Sequence, residues 1–162
     1  MKKYIFKCLC LSALVAIAIC GCTEDSDTEK PVINMIEPAE GDILKIGSDN
    51  GVHFEVEFTD NESLKSYRVN IHDNFDNHTH SILRAETVDF EYENSWEISG
   101  KNALVHHHEI KIPEDATPGN YHLTVYCSDA EGNESHVVIN VVLSHDADDD
   151  DHDEDSDHDH CL

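Results

Sequence analysis

Between residues 31 and 143, apolar side chains recur at every second position and are punctuated by turn residues, the pattern of half-buried strands. Val52, Phe54, Val56 and Phe58 point one way while His53, Glu55 and Glu57 point the other, and Tyr67, Val69 and Ile71 repeat the arrangement. Strands are predicted over residues 32–36, 43–46, 52–58, 67–71, 88–92, 96–99, 104–112, 121–127 and 137–143. No stretch has the 3.6-residue period of a helix. Short strands at this density, without paired cysteines, predict an all-β immunoglobulin-like β-sandwich of about seven to nine antiparallel strands.

The flanks depart from this pattern. Met1, Lys2, Lys3 and Lys7 precede an apolar run over 9–19, and acidity begins abruptly at Thr23-Glu24-Asp25. This is the form of a secretory signal peptide, too short in its apolar part to span a bilayer. Ile19-Cys20-Gly21-Cys22 resembles a bacterial lipobox, so residues 1–21 are expected to be a lipoprotein signal peptide. Cys22 is then the lipidated residue, and 22–30 a linker to a membrane anchor. The acidic stretch after Cys22 looks like the surface-export signal of Bacteroidetes lipoproteins, which implies an outer-membrane lipoprotein. Cys8, Cys10 and Cys20 leave with the signal peptide, which rules out a disulfide framework. Cys127 shares the parity of Tyr121, Leu123 and Val125 and reads as a buried thiol rather than a metal ligand or a partner for Cys161.

At the other end, residues 144–162 hold ten of the 35 acidic residues and four of the 13 histidines, with almost nothing apolar. Such a tail buries no core and is expected to be disordered. With 10 Lys+Arg against 35 Asp+Glu and a formal net charge of −25, the chain lacks the basic surface that nucleic acid requires.

Histidine changes the picture. His72-x5-His78-x-His80 leaves the strand over 67–71, and two imidazoles at i and i+2 on extended chain share a face. Asp73 and Asp76 are near enough to add an oxygen or to orient the rings. His106-His107-His108 lies in the strand over 104–112; His106 and His108 share the parity of Leu104, Ile110 and Ile112, so they either end the core-facing layer or line a cleft. His122 faces away from Tyr121, Leu123 and Val125. Isolated residues such as His53 and His136 read as ordinary solvated or hydrogen-bonded side chains. The candidate metal ligands are therefore His72, Asp76, His78, His80, His106, His108 and His122. A weaker tail set comprises His145, His152, His158, His160 and Cys161. Imidazole with carboxylate suits Zn²⁺ first, with Cu²⁺ and Ni²⁺ as alternatives. The Asp/Asn-rich turns at 60–62 and 129–133 keep Ca²⁺ open as well.

Several segments carry a resemblance: Lys30-Pro31-Val32-Ile33, Glu37-Pro38-Ala39-Glu40-Gly41-Asp42, Val52-His53-Phe54, Leu64-Lys65-Ser66-Tyr67, the 71–80 stretch and the Pro118 to Asn133 stretch. Together they resemble the uncharacterised Ig-like lipoproteins of Bacteroidetes, grouped as a domain of unknown function. The resemblance implies the fold, the lipid anchor and a cell-surface or periplasmic location, and no activity.

No G-x-S-x-G, H-E-x-x-H, P-loop or dinucleotide fingerprint is present, and the chain is expected not to be an enzyme. The expected function is metal binding for scavenging or delivery to an outer-membrane transporter. The rival is an adhesive or structural module that binds a glycan or a protein, with Trp96, Tyr92 and Tyr126 as its aromatic platform.

Overall fold

A computed structural model describes residues 26–74 and 87–148. They are all-β and contain no helix: β1 (Val32–Glu37), β2 (Ile43–Lys45), β3 (Phe54–Asp73), β4 (Tyr92–His107), β5 (Gly119–Asp129) and β6 (Glu134–Ser144). The strands form one sheet in the order β1-β3-β5-β6-β2, with β4 pairing along β3. All pairings are antiparallel except β2 with β6.

Fewer strands appear than the alternation predicts, because two strands are each long enough to belong to both halves of the structure. The segments expected at 52–58 and 67–71 are one strand, β3. Those expected at 96–99 and the start of 104–112 are one strand, β4. The β3–β4 register shifts between Thr59 and Leu64 and again between Leu64 and Ser66. At that point Asp60 Oδ1 accepts the backbone N–H groups of Glu62 (2.9 Å) and Ser63 (2.7 Å). Asp60 thus satisfies donors that the interrupted ladder releases, and the ladder resumes beyond the corner. Opposite it, Gly100 has φ 83°, a left-handed conformation that glycine adopts without strain. Val88, expected to open a strand, makes only an isolated bridge to Ala116.

The corner curls the sheet. One half comprises β1, residues 54–59 of β3 and residues 102–107 of β4; the other comprises residues 92–100 of β4, 64–73 of β3, β5, β6 and β2. The inward residues of the halves face each other, with the Tyr67 ring 5.1 Å from Phe58 and 6.3 Å from Phe54. Phe54, Val56, Phe58, Val69, Ile71, Leu123, Val125 and Val141 are fully buried between them. Each such side chain contributes about 1.5–3 kcal/mol of hydrophobic stabilisation. Cys127 is buried in the same layer, as its parity predicts; burial pushes its thiol up to about 12, so it stays protonated. Residues of opposite parity therefore lie on two outer faces that point away from each other.

Candidate metal centre

On the outer face of the first half, β3 and β4 pair with Phe54 opposite His107 and Glu55 opposite His106. His53 therefore comes beside His108, at the point where the chain enters β3 and leaves β4. Two backbone features hold this end closed. Val52 N donates to Ile110 O at 2.9 Å, and Gly51, at φ 83°, lies so close to the departing strand that a Cβ there would stand 2.3 Å from His108 O. Only glycine permits that approach.

Three imidazoles converge as a result. His53 stacks on His106 with ring centroids 4.7 Å apart, meets His108 edge-on at 5.0 Å, and His106 is 5.5 Å from His108. One ring nitrogen from each lies within 4.8 Å of the others. A tetrahedral Zn²⁺ with bonds of about 2.0–2.1 Å needs nitrogens about 3.3 Å apart, a closure of side-chain size. Glu55 Oε2 is 3.8 Å from His53 Nε2, and Glu37 lies opposite Glu55 on β1, so carboxylate borders the trio. Three borderline nitrogen donors and one adjacent oxygen donor are the set that Zn²⁺, Cu²⁺ and Ni²⁺ accept.

A family model described as Domain of unknown function (DUF4625) matches residues 19–144. The chain belongs to that family. No curated protein matches the chain significantly.

The middle histidine of the triplet behaves differently. His107 points inward, stacked on Phe54 at 4.9 Å and 5.0 Å from the Trp96 ring, which itself stacks on Tyr67 at 4.8 Å. Glu109 N donates to His107 Nδ1 at 3.3 Å. In the neutral ring the proton therefore sits on Nε2, which donates to the Tyr67 hydroxyl at 3.2 Å. Burial pulls the His107 pKa below its ordinary value. Glu109 opposes that shift, and His108 and His106 reinforce it. Burial likewise pushes the Tyr67 phenol far up, with Glu109 adding to the effect. Trp96 Nε1 donates to Glu109 Oε2 at 2.8 Å, which closes the network.

The remaining predicted ligands separate. His106 and His108 meet, on the outer face and not at the end of a core-facing layer. Leu104, which shares their parity, is 66% exposed, and the strand stops at His107, so the burial of Ile110 and Ile112 belongs to the chain beyond the turn. His53, read from sequence as ordinary, is the third member. His72 and His122 face each other on the outer face of the other half, with ring centroids 5.4 Å apart, and do not join the trio. Asp76, His78, His80, Cys22, His152, His158, His160 and Cys161 lie outside the described residues. His145 is exposed just after β6, its carbonyl accepting from Lys45 Nζ at 2.8 Å.

A second convergence among the described residues, Asp27, Asp129 and Glu131, offers oxygen only. The fully buried Asp129 accepts from Gly132 N (2.6 Å), Asn133 N (2.7 Å) and Asn133 Nδ2 (2.6 Å). Those three bonds account for the Asp-x-x-Gly-Asn turn as backbone architecture. Two of the three aromatic residues named for a platform are engaged as well: Trp96 is in the inner stack, and Arg68 lies over the Tyr126 ring at 3.9 Å.

Proposed function

We propose that this protein is a lipid-anchored, extracytoplasmic binding module that takes a divalent transition metal, Zn²⁺ foremost, at His53, His106 and His108. Glu55 supplies the fourth ligand, and Cys22 carries the anchor in the outer membrane. The site serves scavenging or delivery to an outer-membrane receptor, the histidine-rich tail acting as a weaker collector. The observation that carries this reading is the meeting of three imidazoles from two strands within ligand distance. An open outer face suits a cargo that must leave again, whereas structural zinc sites are closed.

The fold reading that accompanies it is immunoglobulin-like. Counting the halves of β3 and β4 separately gives three strands in one half and four longer ones, with short β2, in the other. Tyr121 supports it: its hydroxyl donates to Thr117 O at 2.8 Å, four residues upstream at the start of β5, in the manner of a tyrosine corner.

Zinc calorimetry at pH 7.5 on the full chain tests the function. The expected result is one site with Kd of about 10 μM or tighter, weakened at least 100-fold in the triple variant His53→Asn, His106→Asn, His108→Asn. Binding no tighter than about 100 μM in the parent chain, or a tight site that survives the triple substitution, overturns the reading.

A further inference from the structure

A second pair of histidines lies on the outer face of the other half-sheet. His72 of β3 and His122 of β5 are directly opposite each other in an antiparallel ladder, their rings 5.4 Å apart and nearly perpendicular at 81°. Facing positions in such a pair have Cβ atoms about 4.5–5.5 Å apart, a spacing at which two imidazoles can reach one ion. Both side chains are half-buried, which limits their rotamers.

The surroundings prepare them for ligation. Asn70 Nδ2 points at Glu93 Oε2 (3.4 Å), which turns its Oδ1 toward His72 Nδ1 at 2.9 Å. Facing a carbonyl oxygen, Nδ1 carries the proton, and the lone pair is on Nε2. A side-chain oxygen that fixes the tautomer from the far nitrogen is the usual support for a metal-ligating histidine. On the other flank, Asn140 lies opposite His122 on β6 and holds both oxygens of Glu40, donating from N at 2.9 Å and from Nδ2 at 2.7 Å. Glu91 and Glu93 line, with His72 and Asn70, a surface hollow of about 440 Å³. Carboxylates thus border the pair on both sides.

We propose that His72 and His122 form a second transition-metal site, independent of His53, His106 and His108 and on the opposite outer face. Two imidazoles with water and carboxylate in the remaining positions select Cu²⁺, Ni²⁺ or Zn²⁺ over Ca²⁺ or Mg²⁺. With one fewer protein nitrogen it binds more weakly than the three-histidine site. The protein then carries metal on two faces at once, which fits a carrier better than a structural ion.

The test uses the full chain carrying His53→Asn, His106→Asn and His108→Asn, with ¹³C/¹⁵N-labelled histidine rings, titrated with Zn²⁺ and followed by NMR. His72→Asn and His122→Asn assign the two ring signals. The expected result is that both signals move together and saturably, that His72 keeps its proton on Nδ1, and that His122→Asn weakens the His72 response at least tenfold. If neither ring responds up to about 1 mM Zn²⁺, or if the His72 response is unchanged by His122→Asn, the proposal fails. Its failure leaves the three-histidine site untouched, since that site is read from the His53, His106 and His108 rings of the parent chain.

Discussion

His106 and His108 face outward and His107 inward, and the three consecutive residues occupy two different chemical worlds. The outer pair joins His53 at a polar surface bordered by Glu55. The inner one is wedged among Phe54, Trp96 and Tyr67, with both ring nitrogens hydrogen-bonded and its pKa lowered by burial. The pleat alone makes this difference, because successive side chains of a strand leave opposite faces. The outer imidazoles are left beside carboxylate at the surface; the inner one is used as a polar-tipped aromatic.

The sharpest way to break the comparison is to remove the inner residue. His107→Ala deletes a ring from the stack and leaves the Tyr67 hydroxyl without that partner. A half-buried aromatic truncated to alanine should cost about 2 kcal/mol, below the 3–5 typical of a fully buried one. Urea denaturation measures this, and zinc affinity should fall by less than about tenfold, since no ligand is lost. The outer residues should behave in reverse: the triple substitution that removes zinc binding should leave metal-free stability within about 1 kcal/mol. If His107→Ala abolished zinc binding while stability held, the roles assigned to the two faces would be exchanged.

Glu55 sharpens the outer half of the comparison. At 3.8 Å from His53 Nε2 it borders the trio, near enough to supply the proposed fourth ligand. Glu55→Gln keeps the shape and removes the charge, and should weaken zinc about tenfold, or about 1.4 kcal/mol by calorimetry. An unchanged affinity would limit the site to three imidazoles and water.

The same region shows what a single strand's pattern can and cannot reveal. Alternation placed Phe54, Val56, Phe58, Tyr67, Val69 and Ile71 inside correctly, and Cys127 with them. It also placed His53, Glu55 and Glu57 on an outer face. What it could not supply is register. That His53 comes beside His108 depends on Phe54 pairing with His107, 53 positions further along the chain, and neither strand carries that information. Parity also fails across a turn: the buried Ile110 and Ile112 lie beyond it, and Leu104, which shares the parity of His106 and His108 on the strand itself, is exposed, so the apolar residues around the pair misreported its face. The strand count missed for a related reason: residues 60–63 have the composition of a turn, and they do bend the chain, but the ladder continues on either side. The signal that pointed toward the trio was the company His53 keeps, an alternating run of ligand-type residues at 53, 55 and 57.

The smallest expected effect separates the two faces by pH. His107 has a folded pKa lowered below its unfolded value of about 6.5, so the unfolded chain takes up this proton before the folded one does. Stability rises with pH wherever the unfolded state binds more protons. The contribution of His107 is therefore fully present above about pH 6.5 and is lost as pH falls through that value toward its folded pKa. His107→Phe keeps a ring against Phe54 but cannot titrate. Without metal, the urea midpoint of the parent should drop more between pH 7.5 and 5.5 than that of His107→Phe, although the variant starts lower for want of the Tyr67 bond. Parallel pH dependences would mean that the inner imidazole does not stay neutral in the fold. The outer trio has its own reporter: ligation requires neutral imidazole, so the extra stability that zinc confers should fade over the same interval in both proteins alike. Loss of the zinc effect in step with the His107 substitution, rather than independently of it, would show that the two faces titrate as one unit.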